Sequence, residues 1–260
     1  MSDSPRFGLA HATYRAFRPA YPDRLYDRVL AELSGPRELA VDLGAGTGLV
    51  SAALAGRFAE VVAVEPDPAM AAHLHETAPT ARVQIVAAEA AELPSAGVDL
   101  ITCANALYWM DAPTVLARVG EWLRPGGLFA AWRYPFPRLP GPVAEVFAVE
   151  IAERWAAHRD VRVTQTGITQ AWVEAEPSLE RIVAERFPNP IPMTAAQMLG
   201  FAASTSFAAA YLRSLVAREG EAASERYLAE LGARLEAATG GEAMVLDFDL
   251  SLVLGRARAS

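Results

Sequence analysis

The chain has 260 residues, 52% of them hydrophobic and 21% charged, with a formal net charge of -8 and one cysteine, Cys103. That balance excludes a disordered tail, an intrachain disulfide and a nucleic-acid partner held by bulk positive charge; it suits one large domain, or one domain with a sizeable insertion, in a reducing cytoplasm. Charges and prolines break the apolar runs well short of a membrane span, and the N-terminal stretch lacks an apolar segment of signal-peptide type.

Tyr26, Val29, Leu30 and Leu33 recur at helical spacing, with Pro22 ahead and Gly35 behind, and predict a first helix. Five short, mostly apolar runs at 38–43, 61–65, 83–88, 98–103 and 127–134 read as strands buried on both faces. Between the last two, Asp111 caps a helix with Pro113 in its first turn and Val115, Val119 and Trp122 on one face. Such alternation implies a parallel sheet with helices on both sides. Four prolines between Pro135 and Pro142 then stop the sheet. Helices are expected at 143–158 and 168–175, a strand at 179–187, and a helix opening on a Thr194/Gln197 capping box. Phe207, Tyr211 and Leu215 continue one helical face, and Leu228, Leu231 and Leu235 mark another. The segment 244–254 alternates through Leu246, Phe248, Leu250 and Leu252, which predicts one antiparallel strand near an edge with a wetter face.

The first strand runs into "AVDLGAGTGLVSAAL", with Gly44, Gly46 and Gly48 after Asp42. Bare backbone at a strand end, followed by a helix start, makes a corner that a ligand can approach closely. A phosphate loop needs a lysine after the glycines, and none follows. A nicotinamide fingerprint needs its third glycine one residue later. The pattern that remains is D-x-G-x-G-x-G, which resembles the cofactor loop of class I S-adenosylmethionine-dependent methyltransferases.

Further residues carry the same resemblance. Glu65 ends the second strand and is followed by "PDPAM"; "AEAAELP" follows the third strand, "ANALYWM" the fourth, and "LRPGGLF" precedes the fifth. The N-terminal "ATYRAFRPAYP" is similar to the trans-aconitate-type, methyltransferase type 11 small-molecule group. The likeness covers about residues 10–134. It implies a doubly wound, mostly parallel seven-stranded sheet of Rossmann-like α/β class, with an antiparallel last strand and a helical lid insertion. It implies S-adenosyl-L-methionine as cofactor, held by Asp42, Gly44, Ala45, Gly46 and Gly48. Glu65 would take both ribose hydroxyls, with Pro66 and Met70 beside it. Glu89 would bond the adenine amino group and Ala90 would give a backbone N–H to the ring. Asn105, in the segment after the fourth strand, would lie near the methionine part, as would Tyr14 and Arg18 from the arm, Arg18 pairing with the carboxylate. Tyr21, Tyr108, Trp109 and Arg133 would wall the acceptor, Arg133 facing either an acidic group or a lid carboxylate.

A sulfonium methyl already has a good leaving group, so the protein chiefly positions the nucleophile and excludes water. A carboxylate nucleophile needs no base, whereas a phenol, amine or acidic carbon needs one, and His11, Tyr14 and Tyr108 are the candidates. His73 and His75 point to different helix faces, and no metal-ligand spacing is present. Residues 1–134 are expected to form the arm and cofactor half, 135–178 the lid insertion and 179–260 the rest of the sheet with further lid helices, all in one catalytic domain. The expected partner is a small-molecule acceptor methylated on O or C, without nucleic acid or membrane, in a cytoplasmic monomer or homodimer. The alternatives are a nicotinamide-dependent oxidoreductase and a non-methylating protein that keeps the pocket.

Overall fold

The computed structural model describes residues 17–164 and 168–258. In chain order the elements used below are α1 (Asp23–Glu32), β1 (Leu39–Leu43), α2 (Leu49–Ala55), β2 (Glu60–Val64), α3 (Pro68–Thr77), β3 (Arg82–Gln84), β4 (Val98–Ala104), α4 (Ala112–Trp122) and β5 (Leu123–Arg133). Then come α5 (Gly141–Val149), α6 (Ile168–Ala175), β6 (Leu179–Phe187), β7 (Pro190–Met193), α7 (Ala195–Ala203), α8 (Ser206–Glu219), α9 (Glu221–Thr239), β8 (Met244–Asp247) and β9 (Leu250–Ala257). The chain divides into a sheet unit (Ala20–Pro135, Gln165–Phe187 and Leu250–Ser260) and a helical unit (Met1–Pro19, Phe136–Thr164 and Pro188–Asp249). Among the described residues no helix is long and apolar enough to cross a membrane.

The sheet unit holds seven strands in the order β3-β2-β1-β4-β5-β9-β6. Pairs from β3 to β5 are parallel, and β9 runs antiparallel to both its neighbours. The apolar runs behave as expected of central strands: Val41, Val62, Ile101 and Phe129 are fully buried. Helix starts follow local chemistry. Asp67 accepts from the N–H groups of Ala69 and Met70 ahead of α3, and Asp111 accepts from Thr114 ahead of α4. The order reverses between β1 and β4, so their carboxyl ends diverge onto different crossovers and leave a crevice, the usual ligand position in such sheets.

Two expectations change. The third strand keeps three residues only, because the chain turns into a short 3-10 helix at Ala88–Ala90. The alternating segment 244–254 is two strands. β8 pairs with β7 in the helical unit, and β9 enters the main sheet one place in from its edge. The alternation is real but serves two cores: Phe248 stacks edge-on to Phe201 in one, while Leu250 and Leu252 fill the other. β9 has no wetter face through its middle, since Leu252, Val253, Leu254 and Gly255 are all buried. α6 belongs to the sheet unit, where Val173 is buried and Trp172 packs against the same core as Leu179 and Val253.

The helical unit is built on rings. Phe136 contacts Phe147, Phe201 and Phe207, and Trp155 contacts Phe147 and Phe207, with centroids 5.4–6.1 Å apart. α5 continues through one π-helical turn, Glu150–Arg154, whose first residue is fully buried. The Glu150 carboxylate accepts from Arg154, Arg234 and the Tyr227 hydroxyl, and the Trp155 indole N–H donates to that hydroxyl. The Thr194/Gln197 capping box forms at the start of α7. Near the end of α7 a side chain on Gly200 would come within 2.4 Å of the Phe17 ring, so the ring needs that bare backbone.

Candidate functional site

The site grows from the carboxyl ends of β1, β2 and β4. Parallel register sets Asp42 beside Thr102. Thr102 Oγ1 donates to one Asp42 oxygen at 3.0 Å, and Ser51 Oγ, from the first turn of α2, donates to the other at 2.7 Å. Burial lifts the Asp42 carboxyl to about 6, against the hydroxyl bonds that favour its ionised form.

The glycines have separate reasons. A Cβ on Gly44 would sit 2.5 Å from the Cβ of Ala106 and 2.9 Å from Met110 Cε, so only bare backbone lets the end of β1 pass the segment after β4. A Cβ on Gly46 would meet no atom within 4 Å; with φ at +58°, this residue turns bare backbone to open space. The loop amides are already occupied. Gly44 and Ala45 donate to the Val64 carbonyl, Gly48 to the Ala45 carbonyl, and Gly46 to Glu65 Oε2. A pyrophosphate would find those four donors taken, so the loop is shaped for close approach rather than for anion capture.

Glu65 is buried, with Oε2 on the Gly46 amide at 2.8 Å and Oε1 on the Asp67 amide at 3.0 Å. Burial raises its carboxyl above the usual range, and the two amides pull it back. Each oxygen keeps acceptor capacity for a donor from a ligand. Pro66 is exposed and Met70 is buried in the first turn of α3. Glu89, half-buried, accepts from the Asp111 amide at 2.8 Å, which fixes it toward the end of β4. The Ala90 amide, expected to meet the adenine ring, donates to the Ala87 carbonyl within the 3-10 turn. That turn takes the donor because β3 ends early.

After β4 the chain passes through Asn105, a non-glycine residue at φ +52°. Its amide N–H donates to the Trp132 carbonyl, its Oδ1 accepts from the Tyr134 amide, and its Nδ2 donates to the Tyr21 hydroxyl. Tyr21 lies edge-on to Trp132 and tilted against Tyr134. Tyr108 stacks near Trp109, and the Arg133 guanidinium lies 4.7 Å from the centre of the Tyr108 ring. Arg133 is 7% exposed and its backbone is anchored by pairing with Ser251 of β9.

The sheet unit therefore brings together Asp42, Gly44, Ala45, Gly46, Gly48 and Glu65 in one corner, with Glu89 after β3, Asn105, Tyr108 and Trp109 after β4, and Arg133 at the end of β5. Arg18 lies in the helical unit, where it donates to the Ser204 carbonyl at 2.9 Å and spans the Phe201 ring, as a cation at the end of a helix. His11 and Tyr14 lie outside the described residues. Sequence reasoning missed Ser51 and Thr102, which hold Asp42, and the Asp111 amide that holds Glu89. The glycine motif implies a helix start near Ser51, but Thr102 is found only once strand register is known. Among the described residues no group of three or more His, Cys, Asp or Glu side chains is placed to hold a metal ion.

Residues 40–127 match the family described as a methyltransferase domain. A candidate methyltransferase of Dictyostelium discoideum is 30% identical over 216 residues, covering 80% of each chain. Trans-aconitate 2-methyltransferase of Methylobacterium radiotolerans is 36% identical over 134 residues, 48% of each chain. The solved structure of a candidate type II methyltransferase from Anaeromyxobacter dehalogenans superposes with a TM-score of 0.74 at 26% identity, covering 94% of this chain and all of that one. Haemonchus contortus phosphoethanolamine N-methyltransferase 2, solved with S-adenosyl-L-methionine, shares the fold with a TM-score of 0.54 at 12% identity, covering 96% of this chain and 57% of its own.

Proposed function

The chain belongs to the S-adenosylmethionine-dependent methyltransferases, and on that premise we propose that it methylates an O or C atom of a small organic molecule that carries an acidic group. The cofactor fits the corner: Gly46 offers bare backbone with open space above it, and Glu65 presents two anchored oxygens spaced for a pair of vicinal hydroxyls. Asp42, Gly44, Ala45 and Gly48 shape that corner, Pro66 and Met70 border it, and Glu89 stands where the base of a nucleoside would lie. When bound, S-adenosylmethionine supplies a methyl group on a sulfonium, which departs as a neutral thioether.

The observation that carries the acidic acceptor is Arg133. A guanidinium on a strand end, against the Tyr108 ring and mostly shielded from water, suits a carboxylate, since solvent screens an ion pair there only weakly. Tyr21 and Trp109 complete the wall. A carboxylate oxygen attacks without a base; for a carbon or phenol acceptor, Tyr108 is the described residue placed to take a proton, with His11 and Tyr14 as the arm's candidates. The relative that acts on trans-aconitate supports the same class of acceptor.

The test is methyl transfer from radiolabelled S-adenosylmethionine to a panel of small mono-, di- and tricarboxylic acids and their amides. Transfer to acids but not to amides, with a loss of at least about tenfold in kcat/KM for Arg133→Met, is the expected result. Equal use of acids and amides refutes it.

A further inference from the structure

We propose that Asp42 is a proton-exchange site beneath the cofactor corner: in mildly acidic solution it carries a proton when the corner is empty or holds the neutral thioether product, and it gives that proton up when the cationic sulfonium binds. The surroundings of its two oxygens fit both states. Asp42 is 1% exposed, near the end of β1 and two residues ahead of Gly44. Ser51 Oγ donates to Oδ2 at 2.7 Å and Thr102 Oγ1 donates to Oδ1 at 3.0 Å, and among the described residues no cation bonds either oxygen. Thr102 Oγ1 also lies 3.3 Å from the Val41 carbonyl, so its hydrogen has two acceptors. Turned to Oδ1, the hydroxyl stabilises a carboxylate. Turned to Val41, it leaves its own oxygen to accept a proton held on Oδ1. One 3.0 Å contact thus serves both charge states without moving a heavy atom, which a backbone amide or a cation in that place could not do.

The charges around Asp42 leave a place for a cation. Glu65, anchored by the Gly46 and Asp67 amides, adds negative charge to the same corner. The other titratable groups that bear on Asp42 are Tyr26 from α1 and Cys103 from β4; burial pushes both upward, so both are neutral in mild acid. Arg57, over the Tyr26 ring, is paired with Asp23. Burial without a compensating cation lifts Asp42 itself to about 6, against the pull of the two hydroxyls. Coulomb attraction needs neither contact nor direction. Unit charges about 12 Å apart, at an effective dielectric constant of about 20, favour the ionised carboxylate about tenfold. When the methyl group is transferred, the bond from sulfur to methyl breaks and its electron pair stays on sulfur. The positive charge is then gone from the corner, and Asp42 takes a proton back from solvent. This exchange rests on the cofactor lying at Gly46 and Glu65, as proposed above.

Calorimetry of the full chain at pH 6, without acceptor and in buffers of low and high ionisation enthalpy, counts the protons. S-adenosylmethionine is expected to release about 0.4 proton per site, and S-adenosylhomocysteine close to none. Below the Asp42 value the proton competes with the sulfonium, and above it the proton is already gone. From pH 5 to pH 7 the affinity for S-adenosylmethionine should therefore rise about fivefold relative to that for S-adenosylhomocysteine. Asp42→Asn should abolish both effects. Thr102→Val removes the two-way hydroxyl and should move the midpoint of the pH profile upward, and Thr102→Ser should restore it. Equal proton counts for the two ligands in wild type overturn the proposal, as does a sulfonium-specific release that survives in Asp42→Asn. If Asp42→Asn does not fold, the wild-type count and the Thr102 pair decide, and an unmoved midpoint in Thr102→Val overturns it. Gly46→Val isolates the premise. If it leaves S-adenosylhomocysteine affinity unchanged, the cofactor lies elsewhere and the exchange falls with that reading; if it abolishes binding while wild type releases no proton, the exchange fails alone.

Discussion

In the helical unit the buried carboxylate of Glu150 meets two arginines and a phenol. In the sheet unit, among the described residues, the buried carboxylates of Asp42 and Glu65 meet only hydroxyls and backbone amides. The first arrangement is closed: its negative charge is neutralised by Arg154 and Arg234, and nothing is left to offer a ligand. The second leaves its charge uncompensated, and the cost appears as two carboxyls held above their usual range. Natural proteins rarely keep such groups for stability, since hydrophobic residues pack as well without the desolvation cost. The contrast separates a carboxylate matched by cations within the fold from carboxylates held by hydroxyls and amides in the corner proposed for the cofactor.

The largest expected effect lies on the closed side. Glu150→Ala leaves two guanidiniums and a hydroxyl around an empty space. Because Arg154 and Arg234 are each more than a third exposed and regain water, the loss should fall at the low end for a broken buried pair, about 3 kcal/mol of unfolding free energy. Urea unfolding measures it, and S-adenosylhomocysteine affinity should stay within about twofold. A variant as stable as wild type would show Glu150 to be as dispensable to the fold as a surface charge.

On the open side, Gly46→Val places a branched side chain at φ +58° in the space facing the ligand. S-adenosylhomocysteine binding should weaken by at least about 100-fold, near 2.7 kcal/mol. Circular dichroism and a thermal melt should show the sheet intact. Undiminished affinity would mean the open face of Gly46 is not where the cofactor lies.

Asp42 sharpens the contrast through pH. Its folded carboxyl sits near 6, above the ordinary value of 3.8, so the folded state holds this proton more tightly than the unfolded chain. The stabilisation is complete below about pH 4 and is lost as pH rises through 6. Asp42→Asn stays neutral throughout. Relative to wild type it should gain about 2 kcal/mol in unfolding free energy between pH 4 and pH 7. A difference that stays flat with pH would show that the hydroxyls of Ser51 and Thr102 fully offset the burial of the charge.

The two regions were also unequally legible in the sequence. The corner is local: Asp42 and three glycines within seven residues, Glu65 at the next strand end. Backbone geometry dictates such residue types directly, so the motif survives as a string. The supports of the corner are not local, because Thr102 reaches Asp42 only through strand register. The helical unit was less readable still. Glu150 sits in an ordinary helical pattern, and its partner Arg234 is 84 positions away. Period-two alternation through Phe248 and Leu250 looked like one strand because each half buries its own apolar residues in a different core. Asn105 was read only by its place in a segment, since nothing in a string records a left-handed backbone on a residue with a side chain.

The smallest expected effect concerns whether the charge of Glu65 is in fact open to a ligand. Glu65→Ala removes the acceptor but also frees the Gly46 and Asp67 amides, so a drop in affinity of about tenfold has two possible sources. A ligand change separates them. The 2′-deoxy analogue of S-adenosylhomocysteine lacks one hydroxyl and leaves the loop untouched. If Glu65 accepts from the ribose, the analogue should bind wild type about tenfold more weakly than the parent, and Glu65→Ala should bind the two alike. If wild type holds both equally, Glu65 is a brace for the glycine loop, its charge is as closed as that of Glu150, and the distinction between the two regions collapses at this residue. If the analogue is weaker by the same factor in both proteins, another group reads the 2′ hydroxyl. The cycle thus isolates what the carboxylate offers outward from what it does for its own backbone, which a single substitution cannot do for a residue bonded on both sides.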